Sequence, residues 1–340
     1  MGSKKQRTEK KLKRTGKNPY ISSQTSEEKE KRQISHAYSS TPLYTALFMI
    51  LGIVVLAFIF TIMLNTVITD IYMKDHPELA NDTASLKTAV EAYINANPVC
   101  LIAQRIVLNI AGMLAMMMLF SRLEKKQFPA IGFVNNGKVK VDIGMGVLFS
   151  FLAVLVAYNI LAVIGYVTPT GALAFNPIQL LWTVDFIFMC IFEEAFFRGY
   201  AIYKLGSFNT NIAIIVSSVL FALYKGLPST MPSTYATYII MGIMLSYSAV
   251  KLKSLWFPLT FRFIWTFTSG ILLSIYSAVI PGIVENTGLK ESLLSGSKAG
   301  FENGFIAAII LLICYVIIRK IIKGRNTPKQ RRLHSDGTIR

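Results

Sequence analysis

Within "CIFEEAFFRGY", Cys190 to Tyr200, two carboxylates stand side by side and an arginine follows four residues after the second. Such a pair can do acid–base work: one carboxylate draws a proton from water while a neighbouring donor holds the charge that develops. Glu194 and Arg198 share a helix face and can pair with each other. Glu193 points about 100° away from Glu194 and needs a partner from another element. Other charges also lie inside apolar runs: Lys225 in "VLFALYKG", Arg262 in "SLWFPLTFRFIWTFTS", and Arg105 and Asp185. In a bilayer each costs roughly 2.5–3.5 kcal/mol near the centre, so each must have a partner or a task. The set reads as Asp185, Glu193 and Glu194 against Arg105, Arg198, Lys225 and Arg262. Arg105 either pairs with Asp185 or reaches the interface. No metal site and no cofactor is indicated. Ammonium and guanidinium groups do not ligate metals, and the three histidines, His36, His76 and His334, lie outside the apolar runs. Cys100, Cys190 and Cys314 form no CxxC pair.

The elements that must position these charges are membrane spans. The chain is 53% hydrophobic over 340 residues, and its apolar residues come in blocks long enough to cross a bilayer as helices. Eight are expected, at about 43–69, 98–120, 144–168, 178–205, 211–227, 233–250, 254–280 and 304–323. The fold class is therefore all-α and polytopic. At 1.5 Å per residue, Glu194, Lys225 and Arg262 lie roughly 18, 24 and 13 Å from the inner ends of their spans, which allows one buried layer. "ASLKTAVEAYINANP" has helical spacing and reads as a short helix outside the membrane. Gly206 and Asn209 supply a turn after the fourth span, and Pro258 starts or kinks the seventh.

Charge sets the orientation. Residues 1–42 hold eleven Lys or Arg and residues 319–340 hold eight, 19 of the 35 in the chain. Basic flanks stay in the cytoplasm, and eight spans place both termini there. The 70–97 loop, with Asp70, Asp75, Glu78, Asp82 and Glu91, reads as external; the 121–143 loop, with Arg122, Lys125, Lys126, Lys138 and Lys140, reads as internal. The basic tails act as tethers to anionic headgroups of the lipid bilayer. Nucleic acid is not a partner, since no aromatic interleaving or fold motif accompanies the charge. The leader is too long and too charged for a signal peptide.

"EEAFFRG" resembles the EExxxR motif of the CPBP intramembrane proteases, the group that includes CAAX prenyl proteases, Abi proteins and proteins similar to lysostaphin resistance protein A. "VDIGMGVLFSF" is similar to the glycine-punctuated span before that motif, "IVSSVLFALYKG" to the stretch carrying the family's FxxxH, and "SLWFPLTFRFIWT" to the span carrying HxxxN. The resemblance covers roughly 130–270 and implies a CPBP-like helical core. It implies hydrolysis by a glutamate-activated water, with histidines positioning that water or stabilising the oxyanion. Here the sequence departs from the pattern: Lys225 and Arg262 stand where the histidines should, and Thr266 replaces the asparagine. A cation beside Glu193 competes for the lone pairs that a base needs.

By this reading the chain divides into a disordered basic cytoplasmic tail (1–42), two spans with an external loop (43–129), the CPBP-like core (130–280), an external loop and last span (281–323), and a second basic tail (324–340). Glu193, Glu194, Arg198, Lys225 and Arg262 are expected to form a buried ionic cluster pinning spans four, five and seven. The resemblance then implies a pseudoprotease in a bacterial plasma membrane. It would bind cell-wall hydrolases or sensor kinases helix to helix, through small residues such as Gly242, Ser246 and Ser248. Two alternatives stand beside it. One is an active endopeptidase with Glu193 as base, Glu194 and Arg198 beside it, and Lys225 or Arg262 on the oxyanion. The other is a bacteriocin immunity or transport protein.

Overall fold

The computed structural model describes residues 41–326 except 42, 80, 136, 228–230, 278, 288 and 298–299. The expected tails over 1–42 and 324–340 lie almost wholly outside the described residues. The chain is a multi-pass helical membrane protein. Among the described residues, five helices are long and apolar enough to cross a membrane: α1 (Tyr44–Asp75), α3 (Pro98–Leu123), α4 (Val139–Val163), α8 (Pro232–Leu252) and α10 (Phe305–Asn326). Between the first two lies α2 (Thr83–Ala96), the short helix expected outside the membrane. Lipid offers backbone groups no partner, so helices are the form these runs must take.

The other three expected spans are shorter or broken. Residues 178–205 form α5 (Ile178–Glu194), a π-helical stretch (Ala195–Ala201) and α6 (Ile202–Leu205). α7 (Thr210–Gly226) has 17 residues. α9 (Trp256–Phe267) passes into a second π-helical turn (Thr268–Leu272), so the helix ends well before the expected residue 280. Helix starts follow local chemistry. Asn209 accepts from the amides of Asn211 and Ile212 to cap α7, and Asp82 caps α2 the same way. The Ser85 hydroxyl and amide hold the Asp82 carboxyl below the usual carboxylate range. Pro258 sits in the first turn of α9, where its missing N–H costs nothing.

One finding departs from a purely helical chain. β1 (Pro169–Leu173) and β2 (Val284–Asn286) pair antiparallel at one end of the bundle. The segment 273–304 folds back there: Thr287 donates to the Thr168 carbonyl, Lys290 to that of Tyr166, and Ser233 and Thr234 bond Asn303. We call this the cap end. At the opposite, basic end, Lys204 is buried and bonds Thr41, Thr45 and Glu124, pinning the start of α1 to α6. Arg325 reaches Asp142 at 3.0 Å, joining α10 to α4.

Small residues bring the site-bearing helices together. A Cβ on Gly146 of α4 would lie 3.0 Å from both the Phe257 carbonyl and the Phe261 amide nitrogen of α9. One turn on, Ser150 Oγ donates to the Phe261 carbonyl at 2.8 Å. The expected partner-binding face of Gly242, Ser246 and Ser248 is corrected by the packing. Gly242 lies against Ser218 of α7, and both serines are fully buried within the chain. Small residues let backbones approach where lipid supplies no hydrophobic drive. Gly146→Val should therefore push α9 off α4 and lower stability by about 1–3 kcal/mol or more, as overpacking does. Unfolding in detergent would register it as a lower midpoint and less protein in the membrane fraction.

Candidate functional site

α5 ends where the chemistry begins. Glu193 and Glu194 are its last two residues, and the helix widens into a π form directly after them. Such widenings free backbone groups and recur at functional sites. Here Ser217 of α7 donates to the Phe197 carbonyl at 2.6 Å and so bonds the π stretch to its neighbour. "SSVLF" carries that serine, whose role sequence reasoning did not anticipate.

The seven charges that the sequence places inside apolar runs are all buried or half-buried within the bundle. Arg198 Nη1 donates to Glu194 Oε1 at 2.9 Å, both side chains sealed from the surroundings. The Arg198 guanidinium also lies 3.9 Å from the ring centre of Phe221, so this phenylalanine of α7 serves as a cation–π platform. Glu193 turns the other way. Lys225 Nζ donates to its Oε1 at 3.0 Å, and Arg262 Nε faces its Oε2 at 3.5 Å, an ion pair longer than a hydrogen bond. The five residues thus form two adjoining groups, Glu194 with Arg198 and Glu193 with Lys225 and Arg262. Arg105 Nε pairs with Asp185 Oδ2 at 2.8 Å, and Asn109 donates to the other oxygen.

Sequence reasoning missed one member. Glu302 descends from the cap segment, is 1% exposed, and accepts from Arg262 Nη1 at 2.9 Å and from Tyr238 Oη at 2.6 Å. Arg262 therefore holds α5 and the cap segment at once. Thr266 is buried, and its hydroxyl makes no protein hydrogen bond.

These contacts limit the chemistry. Each oxygen of Glu193 faces a cation: Oε1 accepts a hydrogen bond from Lys225, whereas Oε2 meets Arg262 by charge alone and accepts no hydrogen bond. The donor set does not suit a metal. Lys225 and Arg262 cannot ligate one, and no three His, Cys, Asp or Glu side chains converge among the described residues. Of the histidines, His76 pairs with Glu78 away from the site; His36 and His334 lie outside the described residues. Lys225 does retain access to a cavity at the cap end, where an ammonium could meet an anion.

Residues 175–268 match the family described as Type II CAAX prenyl endopeptidase Rce1-like. That segment spans α5 to the start of the second π turn and contains Glu193, Glu194, Arg198, Lys225 and Arg262. No curated protein and no solved structure matches the chain.

Glu302→Gln removes a carboxylate that Arg262 needs. Breaking one partner of a buried pair costs about 3–5 kcal/mol, and that loss should appear as a lowered unfolding midpoint. Limited proteolysis should then cut first within 273–304, since Glu302 is that segment's ionic tie to α9.

Proposed function

We propose that this protein keeps the architecture of an intramembrane endopeptidase without its reaction and works by binding other membrane proteins. The observation that carries this reading is the double neutralisation of Glu193 by Lys225 and Arg262. A base must meet water, and Glu193 is sealed from solvent between two cations; a scaffold needs only a rigid, correctly packed bundle. In this reading the broken segments 178–205 and 256–272 and the shorter α7 complete eight crossings. Both basic termini then lie on the cytoplasmic side of a bacterial plasma membrane. By resemblance to relatives similar to lysostaphin resistance protein A, the partners are cell-envelope proteins such as a cell-wall hydrolase or a sensor kinase.

One observation favours a second reading. Lys225 lines the cap-end cavity, so a peptide carbonyl placed there would meet a fixed positive charge, as an oxyanion site requires. Complementation of a deletion strain separates the two. Under the scaffold reading, Glu193→Gln loses protein and function together, and adding Lys225→Met restores both. A Glu193→Gln protein that accumulates normally yet is inactive, alone and in the pair, would instead mark Glu193 as catalytic.

A further inference from the structure

A cavity of about 450 Å³ lies at the cap end between α3, α5, α7 and the cap segment. Its polar wall includes Arg105, Lys225, Tyr276, Ser277 and Asn303, and its apolar wall includes Trp182 and Val279. The two cations present themselves to the cavity unequally with their partners. The Arg105 and Lys225 side chains are 39% and 14% exposed, whereas Asp185 and Glu193 are both at 0%. The carboxylates are sealed behind the cations, so an entering molecule meets positive charge first. Glu291, the one carboxylate in the wall among the described residues, is itself exposed.

Both cations also have donor capacity left. Arg105 Nη2 approaches the Met189 sulfur at 3.7 Å and Lys225 Nζ approaches the same atom at 3.9 Å. A thioether is a weak acceptor, and it separates two donors that an oxyanion would bridge with much stronger bonds. Exposed apolar side chains stand beside the cavity's lining residues. α7 meets the 178–205 segment at its π-helical stretch and at α6, and Val279 in the cavity wall and Tyr224 and Leu227 on either side of Lys225 are 56%, 46% and 73% exposed. Acyl chains can lie along such a border while a headgroup enters.

We propose that this cavity binds the phosphate of an anionic phospholipid headgroup, bridged by Arg105 and Lys225. The inference rests on the scaffold reading, in that Lys225 is a fixed binding charge and not a catalytic donor. Membrane-protein partners would then be engaged by a lipid-loaded form.

The test is native mass spectrometry of the detergent-purified full chain titrated with phosphatidylglycerol, phosphatidylcholine or glycerol phosphate. Ser277 belongs to no ion pair, so Ser277→Asp adds a negative charge to the wall while Ser277→Asn adds only bulk. Phosphatidylglycerol should be retained over phosphatidylcholine. Ser277→Asp should weaken that binding by about tenfold or more through like-charge repulsion, and Ser277→Asn should leave it near the parent value. Equal retention of both lipids, or equal behaviour of the two variants, would overturn the site. Glycerol phosphate binding as tightly as the lipid would overturn the lipid source and assign a soluble phosphate ester. Cleavage and complementation by Glu193 variants are read separately, so failure here leaves the scaffold reading standing, and failure there is recognised without the lipid data.

Discussion

The rest of the structure is arranged around one carboxylate that cannot reach water. Glu193 is fully buried in a bundle whose surroundings are hydrocarbon, and a lone charge there is among the costliest features a membrane protein can hold. Lys225 from α7 and Arg262 from α9 supply the compensation, and Arg262 in turn requires Glu302 from the cap segment. Four separate parts of the chain must therefore arrive together. A buried pair adds little net stability compared with apolar packing, yet an incomplete one is severely penalised. The network thus acts less as glue than as a test of correct assembly.

The same contacts underlie the proposed reading of the site. The EExxxR face survives: Glu194 and Arg198 pair within one segment, Phe221 seats the guanidinium, and Ser217 bonds the widened backbone. None of these depends on catalysis, since each satisfies a buried polar group or charge. At the two positions where the resemblance implies imidazole, a permanent cation stands. An imidazole can be neutral, accept a hydrogen bond and hold a water; an ammonium or guanidinium offers donors only. In the proposed reading, Lys225 and Arg262 make this an ion-paired site on the same helices.

The sequence revealed the charges more readily than their wiring. Apolar blocks were enough to find the helical stretches, though not where three of them shorten or break, and the four-residue spacing of Glu194 and Arg198 was enough to pair them. The pairing of Glu193 across helices followed from its direction and from the lack of any other destination. Glu302 escaped because it stands in "FENGF", a loop-like stretch at the head of the last apolar run. Nothing local signals that such a stretch folds inward. A global clue was present: three acids faced four bases in the buried set, so one cation lacked a carboxylate. The two π-helical turns, the β1–β2 pairing and the inward use of Gly242, Ser246 and Ser248 were not legible either. Each depends on what another segment presents, and helical periodicity is silent on that.

The central claim is that Glu193 serves as an ion-pair partner, and a double-mutant cycle measures this directly. Unfolding free energies in mixed micelles would be compared for the parent, Glu193→Gln, Lys225→Met and the double variant. The account predicts a coupling energy of about 1–3 kcal/mol, with the double variant more stable than the sum of the single losses implies. Additivity within about 0.3–0.5 kcal/mol would contradict it and return Glu193 to consideration as a base.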